Sequence, residues 1–161
     1  MIKLTIELVP KTSWYSNVRS NVPKAEWDRI RHKVYEAAGH VCEICGGVGK
    51  KHAVECHEVW EYDDKEQIQK LVRMVALCPA CHCVKHIGRA QAVGVYNEAL
   101  AQLMKVNEWD YHTAQTYIRE AFDQWSGRSK KNWKLDLSGL NAYSMTKTGQ
   151  EDETDKNKSA G

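Results

Sequence analysis

Leu77-Cys78-Pro79-Ala80-Cys81-His82-Cys83-Val84-Lys85-His86 is the stretch that decides how this chain is read. Its Cys78-x-x-Cys81 pair has a counterpart upstream in Cys42-Glu43-Ile44-Cys45. A C-x-x-C turn lets two thiolates converge on one ion, and two such turns complete a tetrahedral shell. The four cysteines therefore predict a closed, structural Zn²⁺ site whose metal is coupled to folding. A disulfide or thiol-redox reading fits less well, because no thioredoxin-like βαβ pattern surrounds either pair. Pro79 suits the first turn of a helix, where its missing N–H would be unpaired anyway. On that helix His82 and His86 are spaced i, i+4 and share a face, so two imidazoles can grip one further ion.

Working outward, residues 53–62 read as a strand, Asp63-Asp64 as a turn and 68–77 as the returning strand. A cysteine knuckle, a hairpin and a helix carrying the second ligand pair make a treble clef. The first strand holds Val54-Glu55-Cys56-His57-Glu58, and packing the hairpin on the helix brings His57 toward His82 and His86. Cys56, mid-strand, reads better as a small buried apolar residue, and Cys83 has no assigned role. Upstream, Met1 to Val9 alternates polar and apolar residues as a strand does, and 10–22 reads as a loop bearing Trp14-Tyr15. Pro23 suits the first turn of a helix, and Ala25, Trp27, Ile30, Val34 and Ala37-Ala38 follow a helical period that Gly39 stops.

Downstream, residues 89–106 and 110–124 read as amphipathic helices. Ala114, Tyr117, Ile118, Ala121, Phe122 and Trp125 form a stripe best explained as a core-facing side. Residues 133–137 could close the sheet as a short strand. The chain is thus an expected α+β fold in four stretches: strand and helix (1–40), zinc centre (41–88), helical region (89–140) and a disordered tail (141–161).

Composition bounds the function. The 161 residues are 42% hydrophobic and 27% charged, ordinary for a globular protein. The sequence offers neither a transmembrane run nor the apolar core and cleavage site of a signal peptide, which predicts a cytoplasmic protein. There, paired cysteines hold metal more often than they form disulfides. A net charge of +2 argues neither for nor against nucleic acid, so any binding face must come from local clusters. Lys50, Lys51, Lys85 and Arg89 make one such cluster; Arg128, Lys130, Lys131 and Lys134, interrupted by Trp133, make another. The second could contact phosphates with the tryptophan stacking, or be an ordinary cationic helix end.

The string from Leu77 to His86 resembles the L-C-x-x-C-H-x-x-K-H helix of the HNH (ββα-metal) endonucleases. His57-Glu58-Val59-Trp60-Glu61-Tyr62-Asp63 resembles a bacterial and phage group of HNH proteins, whose C-terminal helical region is similar to 95–137. The resemblance, strongest over 41–87, implies a DNA endonuclease with a second divalent ion (Mg²⁺, Mn²⁺, Ni²⁺ or Zn²⁺) held by His57, His82 and His86. It also implies a base at Glu58, where the family has histidine, and places Arg73 where the family has asparagine. A one-residue shift would instead make His57 the base and Cys56 a ligand, at the cost of reversing both strand faces. Glu58 can serve as a base only if burial raises its pKa. Arg73, Lys85, Arg89, Lys130 and Lys131 are the candidate contacts to DNA. Because the base and the asparagine are altered, a non-catalytic zinc module that binds nucleic acid or a protein partner stands beside the nuclease reading. A metalloenzyme acting on something else is the third class, with no pocket signature to support it.

Overall fold

The computed structural model describes residues 1–144, an α+β arrangement around one three-stranded sheet. Strand β1 (Glu55–Asp63) pairs antiparallel with β2 (Ile68–Leu77), and β3 (Lys134–Asp136) runs parallel to the start of β2. The hairpin turns where expected, and its cause is local: the Asp63 carboxylate accepts the backbone N–H groups of Lys65 and Glu66 at 3.0 and 2.9 Å. The register slips between Val59 and Trp60, where β2 carries one extra residue.

The sheet is covered on both sides. Helix α1 (Val18–Asn21) precedes α2 (Lys24–Ala37) on one side, where Val18, Ile30 and Val34 pack against Leu71, Met74 and Ala76. On the other side lie α3 (Pro79–Lys85), α4 (Ile87–Ala92), α5 (Tyr96–Asn107) and α6 (Tyr111–Arg128). There Val75 and Leu77 meet Val84, Ile87, Leu103 and Ile118. The end of β2 is therefore apolar on both faces, unlike a half-exposed strand. The α6 stripe faces this second core, with Ala114, Tyr117, Ile118, Ala121 and Phe122 in it.

Several sequence expectations are corrected. Residues 1–9 form no strand: the segment is extended but pairs with none. Leu4 and Ile6 are buried, as the alternation requires, yet the backbone is held by side chains and, at Glu7, by the Lys85 carbonyl at 3.0 Å rather than by a strand ladder. Asn107 bonds Leu4 at both N–H and carbonyl (3.0 and 2.9 Å), and the Tyr117 hydroxyl accepts the Ile6 N–H at 3.1 Å. Period-2 burial needs only an extended chain, not a neighbouring strand. The loop at 10–22 contains α1, whose start is fixed by reciprocal Asn17–Ser20 bonds. The expected helix 89–106 is two helices, broken at Gly94, whose φ of +82° suits glycine. Finally, residues 138–143 form a 3-10 helix, and the Tyr143 hydroxyl accepts the Met74 N–H at 2.8 Å. The start of the expected tail thus packs on β2; the rest, 145–161, lies outside the described residues. Among the described residues no helix is long and apolar enough to cross a membrane.

Candidate metal centres

The first centre forms where the 42–47 turn docks beside the start of α3. Cys42, Cys45, Cys78 and Cys81 bring their sulfurs within 4.8 Å of one another. The Cys45 and Cys78 sulfurs are 3.6 Å apart. That is far too long for a disulfide, yet near the edge of about 3.8 Å that a tetrahedron with bonds of about 2.3 Å requires. Both knuckles aim backbone N–H groups at sulfur: Cys45 to Cys42 and Cys81 to Cys78 at 3.5 Å, and Gly47 to Cys45 at 3.4 Å. Gln102 on α5 donates to the Cys81 sulfur at 3.2 Å. Such donors stabilise thiolate over thiol. Burial opposes them, pushing the Cys78 and Cys81 thiols up; around Cys42 the backbone donors outweigh it and hold that thiol at about 7. The donor set, geometry and second-layer N–H groups all fit an ion such as zinc, with every position filled by protein. Glu43 secures the turn, accepting the Ala76 N–H at 2.7 Å while its own N–H donates to the Ala76 carbonyl at 2.9 Å.

The second centre is separate. His57 from β1 meets His82 and His86 from the α3 segment, with ligating atoms within 4.8 Å of one another. The ring centroids lie 5.2, 5.1 and 4.9 Å apart. Burial lowers the pKa of His57, and burial together with its two histidine neighbours lowers His86 to about 3. Both imidazoles are thus neutral near pH 7, the form that binds metal. Two carboxylates each orient one ring of the triad, Glu7 that of His57 and Glu55 that of His82. His82 donates from Nδ1 to Glu55 at 2.6 Å, and His52 bonds the other Glu55 oxygen at 2.8 Å. His57 bonds Glu7 through Nε2. A carboxylate can only accept from the ring, so these contacts leave the lone pairs on His57 Nδ1 and His82 Nε2.

Glu7 is the member that sequence reasoning missed. Its carboxylate also accepts from the Lys85 ammonium at 3.0 Å, and Thr5 accepts from the same ammonium at 2.7 Å. Burial would raise the Glu7 pKa, but His57 and Lys85 hold it down to about 2. The role expected for Lys85 is accordingly overturned. It is 4% exposed and points into the N-terminal segment rather than toward a phosphate. The alternation Leu4, Ile6, Leu8 would put Glu7 on the outward side, and its partners, His57 and Lys85, are far away in sequence, so no local signal marks it.

Glu58 lies on the opposite face of β1 from His57, as strand alternation demands, beside Cys56 and Trp60. It accepts the Val18 N–H at 2.9 Å, and burial raises its pKa to about 7 despite that bond. Cys56 also stays on that face, so the one-residue shift is not realised; burial pushes its thiol to about 12. Cys83 is half-buried against the second core. A cleft of about 370 Å³ wraps the free edge of β1 and is lined by His57, His82 and His86 as well as Glu58.

No protein-family model, curated protein or solved structure matches this chain. The functional reading therefore rests on this geometry and on the motif.

The remaining basic residues divide. Arg73 is exposed, 3.4 Å from Glu43. Arg89 lines a second cavity, of about 240 Å³, shared with His82 and His86. Lys130 is exposed, with no hydrogen-bonded partner for its side chain among the described residues. Lys131 donates to the Asp64 carbonyl at 3.1 Å, and Arg128 grips the Asp64 carboxylate at 2.9 and 3.0 Å. Trp133 is not free for stacking, since it is half-buried, donates to the Arg128 carbonyl at 2.9 Å and packs edge-on against Tyr62. The second basic cluster is thus largely a structural lock on the β-hairpin turn.

Proposed function

We propose that this chain is a metal-dependent DNA endonuclease of the HNH type, built on a treble clef. In this reading Cys42, Cys45, Cys78 and Cys81 hold a structural Zn²⁺, and His57, His82 and His86 hold a second divalent ion. The observation that carries the reading is the histidine triad itself. Three imidazoles from a strand and a helix segment converge in the lining of a cleft, clear of the cysteine centre, and carboxylates orient two of them, His57 and His82. A structural metal needs no cleft, whereas a catalytic one needs an open position.

An ion bound there would polarise a phosphodiester and stabilise the departing 3′ oxygen. Glu58, with a pKa near 7, takes the proton of the attacking water. The water oxygen bonds to phosphorus, the P–O3′ bond breaks, and the 3′ oxygen gains a proton from solvent. Arg89, at the second mouth of the triad, attracts the phosphate. Glu7 and Glu55 fix the orientations of the His57 and His82 rings. A cytoplasmic location fits the reading, since a reducing compartment keeps the thiolates available to metal.

One observation favours a second reading. Glu58 sits on the far face of β1 from His57, where the resemblance implies a base beside the ion. A module that kept the scaffold and lost the base would bind nucleic acid or a protein partner without cutting. Plasmid DNA incubated with the purified chain and Mg²⁺, Mn²⁺, Ni²⁺ or Zn²⁺ separates the two. The nuclease reading expects nicking or linearisation with at least one ion, abolished by His82→Ala. Retention of DNA in a gel shift with no cutting under any ion would establish the second reading.

A further inference from the structure

The cleft over the triad holds a feature the hydrolytic chemistry does not use. Trp14, Trp27, Trp60 and Trp125 all line it. These are four of the chain's six tryptophans. Trp125 is tied down, its indole N–H donating to the Val9 carbonyl at 3.0 Å and its ring covered by the Lys11 ammonium at 5.0 Å. Trp60 and Trp27 pack in part against the α2 core. Trp14 is different: it is 67% exposed, held edge-on by Tyr15 with ring centroids 6.3 Å apart, at the rim of the cleft. Arg19 lines the same rim and makes no ion pair among the described residues.

The same geometry speaks against a duplex. Duplex binding without sequence preference is driven by many phosphate contacts. Here Lys85 is buried, Arg128 is spent on Asp64, and the net charge is only +2. Bases in a duplex are also stacked on one another and cannot offer a face to an indole. An unstacked base can, and base–aromatic stacking then supplies the affinity that the few cations do not. A cleft of about 370 Å³ has room for a nucleotide. His82 and His86 are reached from two sides, by this aromatic cleft and by the smaller cavity that contains Arg89. A strand crossing the triad would seat a base among the tryptophans and a neighbouring phosphate toward Arg89.

We propose that the cleft binds single-stranded DNA, stacking an unpaired base on Trp14 with Arg19 and Arg89 on the flanking phosphates. The proposal rests on the nucleic-acid reading of the site but not on cleavage. Its test is fluorescence anisotropy of a labelled oligo(dT) and of a blunt duplex of equal length, with the full chain as purified and no divalent ion added. The single strand is expected to bind at least tenfold more tightly than the duplex. Trp14→Ala, a change at an exposed residue, should weaken it at least about fivefold, the lower end of one base–aromatic stack, while Trp14→Phe retains most of the affinity. Arg19→Ala should reduce the slope of log affinity against log salt by roughly one phosphate contact. Equal or tighter duplex binding, no binding of either, or an unchanged Trp14→Ala variant would each overturn the proposal. Oligo(dT) binding as expected, with neither duplex plasmid nor single-stranded circular DNA cut under any of the four ions, would sink the nuclease reading and leave this one standing. Cutting of duplex plasmid with Trp14→Ala indistinguishable from wild type would do the reverse.

Discussion

Glu7→Ala takes away the carboxylate that serves two buried groups at once. The Lys85 ammonium, 4% exposed, would keep only the Thr5 hydroxyl at 2.7 Å, and His57 would lose its acceptor. Breaking a buried ion pair from one side costs about 3–5 kcal/mol, because the stranded charge is not rehydrated. Thr5 remains, so the lower end, about 3 kcal/mol, applies. In a domain of this size that is a fall of about 6–12 °C in melting temperature. The assay is thermal unfolding by circular dichroism at pH 7, with the metal content of each variant matched. Lys85→Met removes the charge from the other side and leaves Glu7 paired with His57. The double variant Glu7→Ala/Lys85→Met strands no charge, leaving only the His57 N–H without its acceptor, and should recover part of the loss, since removing both members of a buried pair costs less than removing one. Refutation is direct: a loss under about 1 kcal/mol for Glu7→Ala, or losses that simply add in the double variant, would show that the pair is not coupled as described.

Other consequences are as specific. Glu58 has its pKa raised from 4.5 to about 7, so the folded state holds a proton that the unfolded state has released across that window. Stability therefore falls as pH rises from about 4.5 to about 7, and Glu58→Gln should flatten the fall, gaining about 1–3 kcal/mol over wild type above pH 7 by urea unfolding. If Glu58 is the base, the same variant loses cutting activity that in wild type rises through pH 7. Glu55→Gln should weaken the metal affinity of the histidine centre by about 10–100-fold in a chelator competition while leaving the cysteine centre loaded. Gly139→Ala would place a methyl group 2.1 Å from the Leu71 carbonyl oxygen, so it should destabilise the 3-10 helix and its Tyr143 contact. A cost of about 1–3 kcal/mol is expected in unfolding measurements, and an unchanged stability would contradict the close approach.

What could be read in advance was what short-range spacing encodes. The two C-x-x-C pairs, the i, i+4 histidines and the hairpin from Glu55 to Leu77 each depend on residues near one another in sequence, and each is found in place. Strand alternation also carried Glu55 onto the same face as His57, although its role as an orienting carboxylate was not drawn from it. Glu7 was out of reach for a different reason. Its function arises from contact with His57 and Lys85, and nothing local distinguishes an extended segment held by side chains from a strand held by a ladder. Lys85 misled for the same cause: a lysine in a basic-looking helix is ordinarily solvated, and only the docked N-terminal segment buries it. Gly94 did carry a local signal for the break between α4 and α5, which helical periodicity on either side obscured.

The proposed function requires two distinct metal centres, one closed and one open. Elemental analysis of the purified chain, before and after dialysis against a mild chelator, tests it most directly when repeated on a variant with His57, His82 and His86 all changed to alanine. Two ions per wild-type chain are expected under saturating conditions, one of them surviving dialysis, and a single chelator-resistant ion in the triple variant. A wild-type chain that never takes up more than one ion, or a triple variant that still takes up two, would contradict it.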